Sequence, residues 1–179
     1  MERKIKRVGR TLAYEGKILK VYSDEMRISG KATHWDYIDL KGGAAVVPVL
    51  ENGNILLVKQ YRNAIDDYSL EIPGGIYDAT SEPGEVCAGR ELLEETGYMA
   101  TEICPLIRTH SLVAFTNEKV SIYVATGLTK KEQRLDEEED IEVLEFSIEE
   151  LKKMLYAGKI TDSKTVAGLF AYISRQTSI

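Results

Sequence analysis

The stretch "PGGIYDATSEPGEVCAGRELLEETGY", residues 73 to 98, constrains the chain more than any other. A glycine pair opens it, and a helical pattern follows from about Pro83, a residue suited to a first helical turn. Gly97 is a usual C-terminal stop. At about 100° per residue, Ala88, Gly89, Leu92, Leu93 and Thr96 fall on one side of this helix. Glu91, Glu94 and Glu95 fall within about 100° of arc on the other side, aimed outward as a cluster. Like charges this close repel, so an arginine, a metal ion or water must offset them. One reading is a solvated polar face. The other is a metal site, because solvated helices interleave Lys at i+4, whereas here only Arg90 lies nearby. The preceding glycine turn also lets backbone approach a ligand closely. Hard carboxylate oxygens on one rigid face suit Mg²⁺ or Mn²⁺, with phosphate and water completing the shell. Gly89 costs about 1 kcal/mol against Ala in a helix, and close packing on a neighbour is the expected compensation.

Upstream, "KIKRVGRTLAY", "KILKVYSDEMRI" and "ATHWDYIDL" read as an antiparallel strand lobe, residues 1–40, with turns at Glu15-Gly16 and Ser29-Gly30-Lys31. Strands alone rarely make a core of this size, so the lobe should pack on the rest or on a partner subunit. Gly42-Gly43 marks the boundary with a main domain, residues 41–179. There "AAVVPVL" and "NILLVKQY" flank "ENG" as a hairpin, and "YSLEIPGG" is a short strand running into the glycine turn. "KVSIYVATGL" and "IEVLEFS" are further strands. Ser147 and Glu150 form a capping-box pair, and Asp162 can cap the last helix. The order of elements predicts an α/β (α+β) domain, a mixed sheet with helices packed against it.

The chain of 179 residues is 44% hydrophobic, enough for a real core, and carries a formal net charge of -6. That balance argues against nucleic acid as a partner, which needs clustered Lys and Arg. An acidic chain still binds a small polyanion when metal ions sit between them. No apolar run approaches the ~18 residues of a membrane span, and "MERKIKRVGR" is not followed by a signal-peptide core. Cys87 and Cys104 make no disulfide framework and read as small buried hydrophobes. The expectation is a cytoplasmic protein with no membrane partner.

The stretch resembles the signature of the Nudix hydrolases: Gly, five residues, Glu, seven residues, then Arg-Glu-apolar-x-Glu-Glu-x-Gly-apolar. Here it is Gly75, Glu82 and then Arg90-Glu91-Leu92-Leu93-Glu94-Glu95-Thr96-Gly97-Tyr98, with six residues rather than five between Gly75 and Glu82. "LLVKQYR" followed by "LEIPGG", "GKITDSKTVAGL" and the N-terminal lobe are similar to the ADP-ribose pyrophosphatase branch. The resemblance implies a Nudix-type mixed sheet sandwiched between helices, and an enzyme that hydrolyses the diphosphate of ADP-ribose or a related nucleoside diphosphate sugar. GDP-mannose is the alternative substrate, and a silent ligand sensor the alternative class.

The resemblance also implies roles. Glu91, Glu94, Glu95 and the Gly74 carbonyl hold Mg²⁺ or Mn²⁺, while Glu82 and Arg90 order the loop and helix. Divalent ions clamp phosphate oxygens and make water a better nucleophile. The general base corresponds to Glu118, with Glu95 as the other choice; the branch's Ser-Pro-Gly is replaced here by Ser111-Leu112-Val113-Ala114-Phe115. Gly75 sits in the turn that meets substrate. Arg62 meets phosphate or the distal ribose, or else sits in an ion pair. Trp35 stacks on the nucleobase in a site shared by two subunits of a homodimer, or else is core. His34 and His110 read as polar surface residues, and "DEEED" (136–140) as a solvated loop, with Glu138 or Glu139 near the metal as a minor alternative.

Overall fold

The run "GAAVVP" is buried at every position, and it forms the middle of the main sheet. A strand covered on both faces reads as continuous apolar sequence rather than an alternation. The computed structural model describes residues 4–79, 81–135 and 140–177. In chain order the elements are β1 (Ile5–Glu15), β2 (Leu19–Ile28), β3 (Lys31–Leu40), β4 (Gly43–Pro48), β5 (Ile55–Arg62), β6 (Asp67–Glu71) and β7 (Gly74–Ile76). Then come α1 (Gly84–Thr96), β8 (Tyr98–Met99), β9 (Glu102–His110), β10 (Lys119–Thr126), β11 (Thr129–Lys130), β12 (Ile141–Phe146), α2 (Ile148–Tyr156) and α3 (Ser163–Thr177).

The chain divides into two compact units. The second comprises Gly43–Thr109 and Val120–Ile179. Its main sheet has the order β7-β4-β10-β9, with β4 parallel to β10 and antiparallel to β7. Alternate residues of β4 enter two cores. Ala45 and Val47 join Ile72, Ile122, Leu151 and Leu169, so α2 and α3 cover one face. Ala44 and Val46 join Cys87, Ala88, Leu92 and Tyr123, so α1 covers the other. This is the expected mixed sheet between helices.

A second sheet has the order β12-β5-β6, all antiparallel. The expected hairpin of β4 with β5 is therefore corrected. The "ENG" turn forms, with Leu50 N–H donating to Asn54 O and a single bridge from Val49 to Ile55, but the two strands then enter different sheets. Turn chemistry fixes the reversal, not the pairing beyond it. β9 was not read from the sequence, because Pro105 interrupts its pattern. Pro is tolerated where no ladder bond is needed, and β9 is an edge strand.

The first unit comprises the residues up to Gly42 together with His110–Lys119. The sheet β1-β2-β3 is an antiparallel meander, and Ser29 and Gly30 both take positive φ (48° and 87°) at the β2–β3 turn. Its centre is the buried Asp24, gripped by Arg10 through Nε (2.5 Å) and Nη2 (2.7 Å). The segment 110–119 attaches to β3: Ile38 N–H donates to Phe115 O (2.7 Å), and Asn117 bonds Leu40 N–H and Asp39.

Candidate active site

Helix α1 runs as its sequence dictates. Pro83 precedes it in extended conformation (ψ 140°), and its carbonyl accepts from Val86 and Cys87 N–H. Gly97 ends it at φ 70°, with its N–H returned to Leu93 O. Only glycine takes that left-handed conformation without strain. A Cβ at Gly89 would lie 3.1 Å from Ile103 Cδ1, the close packing expected of that glycine.

The glutamates do not all point outward. Glu95 is 5% exposed, and its Oε2 accepts the Gly74 N–H at 2.9 Å. The acidic face of α1 turns toward the glycine strand β7, so Glu95 counts as buried although the helical wheel placed it on the open side. Glu91 also faces this strand: a Cβ on Gly75 would lie 2.2 Å from Glu91 Oε1. Glycine at 75 thus reserves the space that the carboxylate fills.

Arg90 supplies the local positive charge. Its Nη1 bonds Glu91 Oε1 (2.8 Å) and Glu94 Oε2 (3.0 Å), and its Nε lies 3.3 Å from both Glu82 Oε1 and Asp78 Oδ2. Nη2 donates to Ile76 O at 3.1 Å. Burial works against the charge on Arg90, but Glu82, Glu91 and Glu94 more than offset it and raise its pKa. Glu82 accepts Asp78 N–H (2.8 Å), and that bond, with Arg90, lowers its pKa. Glu82 therefore closes the loop despite the extra residue after Gly75.

Three carboxylates and a peptide carbonyl are the kind of hard oxygen donor that a divalent ion takes. Among the described residues, no three His, Cys, Asp or Glu side chains are gathered as a metal-holding group. Glu91 and Glu94 are drawn to Arg90, and Glu95 to Gly74.

The other expected residues are carried by other elements. Arg62, at the end of β5, is in an ion pair with the buried Glu71, through Nε and Nη2 at 2.7 Å each. Lys164 completes this cluster; sequence reading missed it, since it is 93 residues from Glu71 and no local motif joins them. A cavity of about 360 Å³ adjoins it, lined by Arg62, Ser69, Glu71, Thr161, Asp162 and Lys164. Trp35 is 47% exposed on β3 rather than packed in a core. Glu118 is half-buried on the segment attached to β3, its N–H bonded to Thr116 Oγ1 at 3.1 Å. His34 and His110 are exposed. Cys87 is buried, and desolvation pushes its thiol up to about 11. Cys104 is only half-buried, beside Glu102, which corrects its reading as a buried hydrophobe. Glu138 and Glu139 lie outside the described residues.

The model of the NUDIX domain family matches residues 40–168. The chain belongs to the Nudix family. The residues matched include the glycine strand and acidic helix just described. Among curated proteins it is similar to an ADP-ribose pyrophosphatase of Bacillus subtilis (strain 168), 32% identical over 163 residues, covering 89% of this chain and 88% of that one. It is also similar to a methanol dehydrogenase activator of Bacillus methanolicus, 31% identical over 169 residues, with 93% and 90% covered. The crystal structure of an ADP compounds hydrolase shares the fold, with a TM-score of 0.87 at 19% identity over 98% of this chain and 96% of that one. Nudix hydrolases generally use divalent metals. No helix among the described residues is long and apolar enough to cross a membrane, which leaves β-barrels unaddressed.

Proposed function

We propose that this Nudix hydrolase cleaves the diphosphate of ADP-ribose or a close nucleoside diphosphate sugar, in the cytoplasm, with Mg²⁺ or Mn²⁺. Water adds to one phosphorus, the bond to the bridging oxygen breaks, and a nucleoside monophosphate and a sugar phosphate leave. The observation that carries this reading is the carboxylate excess on α1: Glu91 and Glu94 share one guanidinium, and Glu95 lies against Gly74 N–H. In this reading Glu91, Glu94, Glu95 and the Gly74 carbonyl hold the cations. When bound, these ions supply charge neutralisation and Lewis acidity to the diphosphate.

The chain's own residues supply the rest. Arg90 and Glu82 hold the loop before α1 against its first turns. Gly75, in the turn that meets substrate, leaves room for the Glu91 carboxylate. Arg62 presents a planar guanidinium to phosphate or ribose oxygens. Glu118 takes the proton of the attacking water, with Glu95 as the second choice. Trp35 offers an exposed indole for base stacking, worth about 1 to 3 kcal/mol.

The same unit exposes Val8, Leu12, Tyr14 and Ile18, each at least 45% open to solvent. Apolar surface of this kind supports a homodimer in which Trp35 of one subunit serves the site of the other. A panel of nucleoside diphosphate sugars with Mg²⁺, resolved by chromatography, tests the reading. Equal amounts of AMP and ribose 5-phosphate are expected from ADP-ribose. Preference for GDP-mannose would move the substrate, and no turnover of any member would overturn the hydrolase. Sedimentation of the active protein as a monomer would remove the shared site.

A further inference from the structure

One buried charge takes no part in the metal site. Glu71 is 3% exposed at the end of β6, yet its carboxylate meets two cations. Oε1 accepts Arg62 Nε at 2.7 Å, while Oε2 accepts Arg62 Nη2 at 2.7 Å and Lys164 Nζ at 2.5 Å. Lys164 Nζ is also 3.0 Å from Asp162 Oδ2, and that same oxygen accepts Thr165 N–H at 3.0 Å, capping α3. A chain of fixed partners therefore runs from the start of α3 through Lys164 and Glu71 to Arg62.

Geometry decides what this chain does. A guanidinium bound through both Nε and Nη2 cannot rotate about its last torsions without losing two charge-assisted bonds. Its remaining N–H groups then point away from the carboxylate in one plane. Arg62 is not buried by this grip; its side chain is 40% exposed, against 5% for Glu71 and 19% for Lys164. It borders the 360 Å³ cavity. The anchoring carboxylate is hidden, and the presenting guanidinium is open to the cavity.

We propose that Glu71 and Lys164 are positioning residues that hold Arg62 in the plane in which it grips the substrate's phosphate or ribose oxygens. The proposal rests on the diphosphate-hydrolase reading above. Glu71 sets the plane of Arg62, and Lys164 stops the Glu71 carboxylate from turning by holding Oε2 from the α3 side. Lys164 acts through Arg62 and does not touch the substrate.

A double-mutant cycle on ADP-ribose hydrolysis tests this, using the full chain with Mg²⁺ and Arg62→Ala, Lys164→Met and the double variant. Lys164→Met is expected to raise KM by about three- to tenfold, as when one charge-assisted hydrogen bond is weakened, with kcat held within about twofold. Added to Arg62→Ala, it should change KM no further. Lys164→Arg should restore most of the loss, because it keeps a donor on Oε2. Multiplying KM effects in the double variant would mean that Lys164 meets substrate itself, and an unchanged KM in Lys164→Met would mean a purely structural lysine. Either result overturns the proposal while wild-type turnover leaves the hydrolase standing. A wild type that does not turn over ADP-ribose would bring down both.

Discussion

Two charge clusters in the same unit are built on different balances. Around Glu71, two carboxylates, Glu71 and Asp162, meet two cations, Arg62 and Lys164. Around α1, one cation, Arg90, faces Asp78, Glu82, Glu91 and Glu94. A carboxylate buried as part of the scaffold must be matched where it lies, since an unpaired buried charge costs several kcal/mol. On the acidic helix the ion pairs of the described residues set four carboxylates against one guanidinium. That balance suits the proposed site, which cations from solution would complete.

The largest expected effect comes from removing those cations. Excess chelator should abolish turnover, and Glu95→Gln should lower kcat by at least about 10², the scale of losing a group that acts directly on the reaction. Far-ultraviolet circular dichroism should be unchanged, because the side-chain amide oxygen of that variant can still accept the Gly74 N–H. Full activity in chelator would show the two clusters to be alike, both merely structural. Glu118→Gln comes next, with kcat lower by about 10² to 10⁴ and KM little moved. An unaltered kcat would pass the base to Glu95.

For the balanced cluster the expected loss is stability. Glu71→Gln leaves Arg62 and Lys164 without their shared anion and should cost about 3 to 5 kcal/mol in urea unfolding. The pH dependence has a definite sign. Burial pushes the Glu71 carboxyl up, but Arg62 and Lys164 outweigh it and bring it from 4.5 to about 2. Its stabilisation, on the order of 3 kcal/mol, is therefore fully present above about pH 4.5 and fades as the pH falls toward 2. Unfolding midpoints between these limits should fall more steeply for wild type than for Glu71→Gln. Parallel curves would show that Glu71 is no better matched than the glutamates of α1.

Much of this was legible in the sequence where local rules decide. Gly97 stops α1, Ser147 and Glu150 form the capping box of α2, and the Asp162 side chain accepts Thr165 N–H at the start of α3, all as their residue types predict. Continuous burial of β4 followed from "AAVVP". What was not legible depends on partners distant in the chain. Glu95 looks solvated on a helical wheel, but it is buried and accepts the Gly74 N–H, 21 residues away. Glu71 and Lys164 are 93 residues apart, and neither carries a local signal of the other. The "ENG" turn was right while the strands on either side of it parted into separate sheets, because burial across sheets, not the turn, chose their neighbours.

The smallest effect sharpens the contrast best, because it needs no catalysis. A ligand that binds only the folded state stabilises it by RT ln(1 + [L]/Kd), about 1.4 kcal/mol at ten times Kd. If the carboxylate excess on α1 is a site for cations, Mg²⁺ should raise the unfolding midpoint by that order, and chelator should reverse the rise. NaCl at matched ionic strength is the control, because screening alone also relieves self-repulsion in a chain of net charge -6. The increment should vanish in Glu94→Gln together with Glu95→Gln, where two donors of the set are lost. It should persist in Lys164→Met, whose cluster is already matched within the protein. Equal increments in both variants would place the Mg²⁺ elsewhere on this acidic chain, and the imbalance around Arg90 would then be an ordinary property of its surface.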